Sequence, residues 1–303
     1  MKVLIIGLGK MGGNMARRWL RSGHTVIGFD NNPESAHVIQ KEDGLIPASN
    51  LKEGVALLDS PRVVWVMVPS GEITRTTIIQ VAEHLQSGDI VVDGGNSNFN
   101  ESINTAQALK EMGIDFLDAG VSGGVWGLNE GYSIMVGGDR QAYETIKPLV
   151  RSLAPGEDIG WGWVGPSGAG HYVKMVHNGI EYGMMEAYAE GYELMQSRKD
   201  MNLDMHQISR IWQHSSVVRS WLLDLIVRAL EEDQSLDSIQ PWVSDSGEGR
   251  WTIKEAIDQD VPVPVMTAAL FRRFESRQEN SYAFRLLSAI RNQFGGHPMK
   301  MVK

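Results

Sequence analysis

Along the first half of the chain the apolar positions come in short continuous blocks instead of alternating with polar ones. "KVLII" (2–6), "TVIGF" (25–29), "VVWVMV" (63–68), "IVVDGG" (90–95), "DFLDAG" (115–120), "SIMVGG" (133–138) and "GWGWVG" (160–165) are separated by polar, helix-like segments. A strand covered on both faces has no solvent side to make polar, so these blocks predict a doubly wound parallel sheet with helices on each face. After "GPSGAG" (165–170) the apolar period becomes helical. Helices are expected over 169–197, 205–214, 218–232, 248–259, 265–277 and 281–292, punctuated by Pro262 and Pro264, which cannot continue a helix interior. Two domains are expected: an α/β sheet domain over 1–165 and an all-helical domain over 166–303.

One stripe breaks the helical pattern. Lys174, His177, Asn178 and Glu181 in "KMVHNGIEYG" stand at i, i+3, i+4 and i+7, the spacing of one helix face, yet they are polar. By itself such a stripe is ordinarily a wetted surface. Beside it, Val176, Ile180 and Met184 form an apolar edge, and Gly179 and Gly183 form a small-residue strip suited to close packing. A helix covered on those sides is expected to turn its polar face to solvent or to a cleft.

Near the start, "GLGKMG" places Gly7, Gly9 and Gly12 in a G-x-G-x-x-G pattern. The pattern alone is weak, but here it follows a strand, opens a helix closed by Gly23, and is followed by a second strand ending at Asp30. That is the βαβ context of a Rossmann-type dinucleotide site. Gly7 permits the tight turn, Gly9 admits a pyrophosphate to the backbone, and Gly12 lets helix and strand approach. The pyrophosphate then sits on the helix N-terminus, where free N–H groups and the dipole favour an anion, with Leu8, Lys10 and Met11 among the expected cofactor contacts. Asp30 accepts from the adenosine ribose hydroxyls and repels a 2′-phosphate, and "FDNNP" offers no adjacent arginine, so NAD is expected over NADP. The loops after later strands, with Val68 and Pro69 in "VPSG" and Asn96 in "DGGNSN", lie where a doubly wound sheet binds its ligand. Asn and Ser after glycines are equally ordinary turn residues.

Composition narrows the field. The 303 residues are 42% hydrophobic and 21% charged, as in a folded globular protein, with length for two domains. A net charge of -9 argues against nucleic acid or an anionic membrane as partner, while a small anionic substrate can still be held by a few local cations. The absence of cysteine excludes disulfides and thiolate chemistry and fits a reducing cytoplasm. The first apolar run breaks at Gly7, too soon for a signal-peptide core, and no stretch is long enough to span a bilayer.

"GLGKMGGNMARRWLRSGH", "DAGVSGG" (118–124) and "GAGHYVKMVHN" (168–178) resemble the β-hydroxyacid dehydrogenase superfamily. The histidine and glutamate of "KMVHNGIEYG", with "IWQHSSVVRS" (211–220), "GEGRWT" (247–252) and "RNQFGGH" (291–297), resemble its 6-phosphogluconate dehydrogenase family. The resemblance implies oxidative decarboxylation of a phosphorylated sugar acid in the pentose phosphate pathway, with NAD and without a metal. It implies Lys174 as general base at the 3-hydroxyl and Glu181 as the acid that protonates the enediol. It implies Ser122, Gly123, Gly124, His177 and Asn178 as contacts to substrate and catalytic lysine, Asn96 and Tyr182 as substrate contacts, and Arg219, Arg250 and Arg291 as phosphate ligands. His297 resembles a tail residue that reaches the partner subunit's site. A lysine acts as a base only when neutral, so the site must lower its pKa from about 10.4.

The chain departs from the family's common form by lacking its duplicated helical half, and resembles the short-chain form that goes with NAD and with tetramers. Val125 and Trp126 stand where longer members carry two acids, Arg250 stands for a common lysine, and Asn292 for a common acid. A homodimer or homotetramer is the expected assembly. Rival readings are a dehydrogenase for 3-hydroxyisobutyrate or tartronate semialdehyde, and a non-catalytic NAD-binding sensor. Arg219, Arg291 and His297 argue against the first, and the Lys174 and Glu181 pair against the second.

Overall fold

The structure is a computed structural model that describes residues 1–295 and 297–300. By backbone contact the chain divides into two compact units, Met1–His177 and Asn178–Lys303. The division falls within a single helix, Ala169–Ser197.

The first unit is built on one eight-stranded sheet with strands β1 (Lys2–Ile6), β2 (Thr25–Phe29), β3 (Ile46–Pro47), β4 (Val63–Val66), β5 (Ile90–Asp93), β6 (Asp115–Ser122), β7 (Ser133–Gly138) and β8 (Trp161–Gly165). Their order is β3-β2-β1-β4-β5-β6-β7-β8. Val3, Ile5, Val63, Trp65, Ile90 and Val92 belong to one buried core, while Leu4, Ile6, Val64, Val66 and Val91 belong to another. Alternate side chains thus enter opposite, equally dry faces, which is why the strands read as unbroken apolar blocks. The two-residue β3 is too short to leave a block in the sequence.

The sheet is parallel-dominated as expected, with one exception: β7 runs antiparallel to β6, with Ser122 opposite Ser133. A parallel return needs a crossover of about a dozen residues or more, usually a helix, and the short 123–132 connection folds back as a hairpin instead. All other pairings are parallel.

The second unit contains the rest of the long helix and the helices Met205–Trp212, Trp221–Glu232, Glu248–Asp258, Pro264–Glu275 and Tyr282–Gly295. Pro264 opens its helix at the first turn, where its missing N–H costs nothing. The expected apolar edge of the long helix is not covered: Ile180 and Met184 remain 49% and 39% exposed. The glycine strip is what packs, Gly179 against Thr252 and Met266 and Gly183 against Val265. Without side chains there, a neighbouring helix closes on that strip in preference to the edge of larger residues.

Candidate active site

In the first unit the end of β1 turns at Gly7, whose φ of +94° and closeness to the Met67 carbonyl admit only glycine. Gly12 packs the helix Lys10–Arg21 onto that turn, where an added Cβ would overlap the Gly7 carbonyl. Gly9, at the N-cap, has no side-chain cap and no atom within 4 Å of an added Cβ. Open space thus meets uncapped N–H donors, which suits a pyrophosphate.

Asp30 is tied to the same turn, accepting the Leu8 N–H at 2.6 Å and the Asn32 N–H at 2.8 Å, one on each oxygen. Its remaining lone pairs thereby keep a fixed direction. The arginines of the adjoining helix are engaged elsewhere: Arg17 with Glu42 and Asp43, Arg21 with Asp43, and Arg18 with the Leu128 and Ala154 carbonyls. The residues present therefore fit NAD, with no cation drawn to Asp30 to welcome a 2′-phosphate.

Two later loops are shaped by buried groups. Thr74 donates to the Pro69 carbonyl at 2.9 Å, anchoring the Val68–Pro69 turn. Asp93, buried at the end of β5, accepts the Gly95 N–H at 3.0 Å and the Ser97 hydroxyl at 2.7 Å. Asn98 caps the helix Phe99–Glu111. Of this Asn-Ser loop only Asn96 is left exposed, and among the described residues its side chain carries no hydrogen bond. Turn chemistry accounts for its neighbours and not for it.

At the end of β6, Ser122 and Gly123 are half-buried and Gly124 is exposed, with φ of +129° and +53° at the two glycines. Beneath them the ring of Tyr132 fills the space beside Gly127, and burial pushes its phenol up to about 12. Lys174 is 8% exposed. Its stem lies on Gly120 of β6, where any Cβ would overlap the lysine's own. Asp118 and His171, which the sequence reading does not single out, hold the helix start: the Asp118 carboxylate accepts the Gly168 and His171 N–H groups at 2.6 and 2.8 Å. His177 closes this unit, half-buried.

In the second unit Asn178 is buried and Glu181 half-buried. Tyr182, 6% exposed, accepts the Ser246 N–H at 3.2 Å, packs on Gly249 and lies under the Arg273 guanidinium at 3.5 Å. Ser246 in turn bonds the buried Glu248. Arg250 is committed to Asp245 through two bonds at 2.8 and 3.1 Å, and Arg277 shares that carboxylate at 3.0 Å. These bonds, Arg250's first, hold the Asp245 carboxyl below the usual range. Arg219 and Arg291 are exposed and, among the described residues, have no ion pair; His297 is exposed. Ser246 and Arg273 have no sequence signal of their own, since only the fold brings them against Tyr182, and Glu248 is visible only as part of "GEGRWT". The glycine at 249 beside an aromatic-bearing helix was the available signal.

Residues 2–165 match the model of the NAD binding domain of 6-phosphogluconate dehydrogenase, and residues 170–287 match the model of its C-terminal domain. The Bacillus subtilis (strain 168) protein YqeC, provisionally named a 6-phosphogluconate dehydrogenase, is 41% identical over 297 residues, 98% of either chain. The NAD(+)-dependent, decarboxylating 6-phosphogluconate dehydrogenase of Haloferax volcanii is 40% identical over 298 residues, again 98% of either chain. Among solved structures, Plasmodium falciparum 6-phosphogluconate dehydrogenase matches with a TM-score of 0.85 at 27% identity, over 100% of this chain and 66% of that one. With both halves matched in order and the dinucleotide turn built as its glycines require, the chain belongs to the 6-phosphogluconate dehydrogenase family.

Proposed function

We propose that the chain converts 6-phospho-D-gluconate to D-ribulose 5-phosphate and CO2 with reduction of NAD. The observation that carries this reading is the buried Lys174, its stem pressed onto Gly120 of the sheet that also bears the complete dinucleotide turn. Gly9, Lys10 and Met11 meet the pyrophosphate at the helix start. Gly7, Leu8 and Gly12 shape the turn that holds it, the Leu8 N–H being taken by Asp30. Asp30 meets the adenosine ribose, with Val68, Pro69 and Asn96 toward the nicotinamide end. NAD supplies the hydride acceptor. Lys174 takes the proton of the 3-hydroxyl as hydride leaves carbon 3, a step that needs the neutral amine. The resulting 3-keto acid loses CO2 because its carbonyl accepts the electron pair of the broken bond. Glu181, two helical turns or roughly 10 Å from Lys174 along the axis, returns a proton to carbon 1 of the enediol.

His177, Asn178, Ser122, Gly123 and Gly124 orient substrate and lysine, and Asn96 and Tyr182 contact the sugar acid. Arg219, Arg250, Arg291 and His297 are assigned to the phosphate end. For Arg250 the Asp245 pairing means the guanidinium is presented already neutralised, a weaker anion ligand than an unpaired lysine. We further assign 1–165 as the NAD-binding domain and 166–303 as the substrate and oligomerisation domain. Support for a homodimer or homotetramer is the apolar surface of the helix Tyr282–Gly295, where Tyr282, Phe284 and Leu287 are 70%, 67% and 56% exposed. A cytoplasmic site of action accords with the lack of cysteine; among the described residues no helix is long and apolar enough to cross a membrane.

The test is a steady-state assay of 6-phosphogluconate with NAD and with NADP, following CO2. CO2 release coupled to NADH is expected. Turnover of 3-hydroxyisobutyrate in its place would favour the non-phosphorylated acid, and no NADH with any acid would favour a sensor.

A further inference from the structure

We propose that Asp118, together with the Ser102–His171 pair, is a positioning set that fixes Lys174 for proton abstraction; this rests on the reading of Lys174 as the base. Asp118 is fully buried at 0% exposure. A carboxylate out of water is costly unless its lone pairs are filled. Here both oxygens are filled by N–H groups at the start of the helix Ala169–Ser197, from Gly168 and His171. These belong to the donors a helix N-terminus leaves open. The cap is supplied from 50 residues away, by a strand, so it ties the first helical turn to the sheet as well as satisfying it.

The same strand meets the lysine. Asp118 and Gly120 are two apart on β6 and so share a face. Gly120 receives the Lys174 stem, and Gly137 on the neighbouring β7 stands so close to the Gly170 N–H and the Asp118 carboxylate, 2.6 and 2.7 Å from a built Cβ, that no side chain can wedge in. His171 adds a second tether: its Nδ1 lies 2.7 Å from the Ser102 hydroxyl, and the two residues are 2% and 1% exposed. His171 precedes Lys174 by one turn. Asp118 therefore fixes the helix along its axis, and the Ser102–His171 bond fixes its rotation. Both act on the reaction through the lysine.

A weld that only stabilised the fold would change melting and leave the chemistry of the folded enzyme alone. Asp118→Asn keeps the shape but turns an NH2 toward one of two backbone donors. In the full-length enzyme, kcat for 6-phosphogluconate should fall about 100-fold, the scale of a small misplacement of a reacting group, with KM for NAD within about twofold. The kinetic isotope effect from deuterium at carbon 3 should rise as hydride transfer becomes limiting. Ser102→Ala should lower kcat by about tenfold at most, in the same pattern. A folded Asp118→Asn enzyme with unchanged kcat and isotope effect overturns the inference, as does a loss confined to KM for NAD. If Asp118→Asn does not fold, Ser102→Ala decides: unchanged kcat overturns the inference. Lys174→Met separates the two readings, since turnover surviving there removes the base assignment, whereas its loss beside normal Asp118 and Ser102 variants removes only the positioning set.

Discussion

In the unit Met1–His177 three carboxylates, Asp30, Asp93 and Asp118, each hold two hydrogen-bond donors of the sheet's own loops and helices. In Asn178–Lys303 the charged candidates Arg219, Arg291 and His297 stand exposed, and Arg250 is spent on Asp245. The first unit has bound its polar groups into a rigid frame around two apolar cores. The second has a small core at Tyr182, Ala269 and Leu270 and keeps large apolar side chains on its surface. A dinucleotide turn is thus built within one unit, while Arg219 and Arg291, the proposed phosphate ligands of the other, are exposed. A ligand that orders long arginine side chains must offset about 2 kcal/mol of rotamer entropy for each, which on the proposed assignment is a cost of binding the phosphate.

Four measurements would sharpen or break this contrast. The largest effect is expected from Lys174→Met, which should abolish NADH formation while leaving NAD affinity, measured by titration, intact. Next, Leu117→Ala in the sheet core should cost about 2–5 kcal/mol in denaturant unfolding, whereas Leu286→Ala on the 44%-exposed side of the last helix should cost under about 0.5 kcal/mol. Equal costs would break the comparison, and a Leu286 cost that grows with protein concentration would show that copies of the chain cover it. Third, Asp30→Ala should raise the KM for NAD by about 10–100-fold, the loss of hydrogen bonds to a charged group, and narrow the gap to NADP. A variant that kept full preference for NAD would remove Asp30 from that role.

The smallest effect concerns acid stability. The folded Asp245 carboxyl titrates below its unfolded value, so its stabilising pairing with Arg250 and Arg277 is complete above pH of about 4 and is lost as pH falls through the folded value. Asp245→Asn should remove that acid-side loss, read as a flatter melting curve against pH below about 4. An unchanged slope would mean the pair adds nothing to the second unit.

Much of the sheet was legible in the sequence because burial on both faces leaves a continuous apolar block. The direction of β7 was not, since a block of five or six residues looks alike either way and only the connection's length decides. The long helix could be read to its ends, Ala169 and Ser197, because its period is sustained. The exposure of Ile180 and Met184 was hidden, as a neighbour's choice between two apolar strips depends on packing that periodicity does not carry. Lys174 could be picked out by its stripe. Asp118, Ser102 and His171 could not, because their bonds join residues 50 to 69 positions apart and each residue alone has an ordinary local setting.

The glycines of the sheet unit fall into two kinds, and a mutational survey would read them oppositely. At Gly12 and Gly120 a methyl collides with the chain itself, so a screen for folded protein should reject alanine. At Gly9 and Gly124 an added Cβ meets nothing within 4 Å. A library sorted on abundance would pass over Gly9, whose φ of -63° suits alanine, while one sorted on growth through this reaction would condemn it.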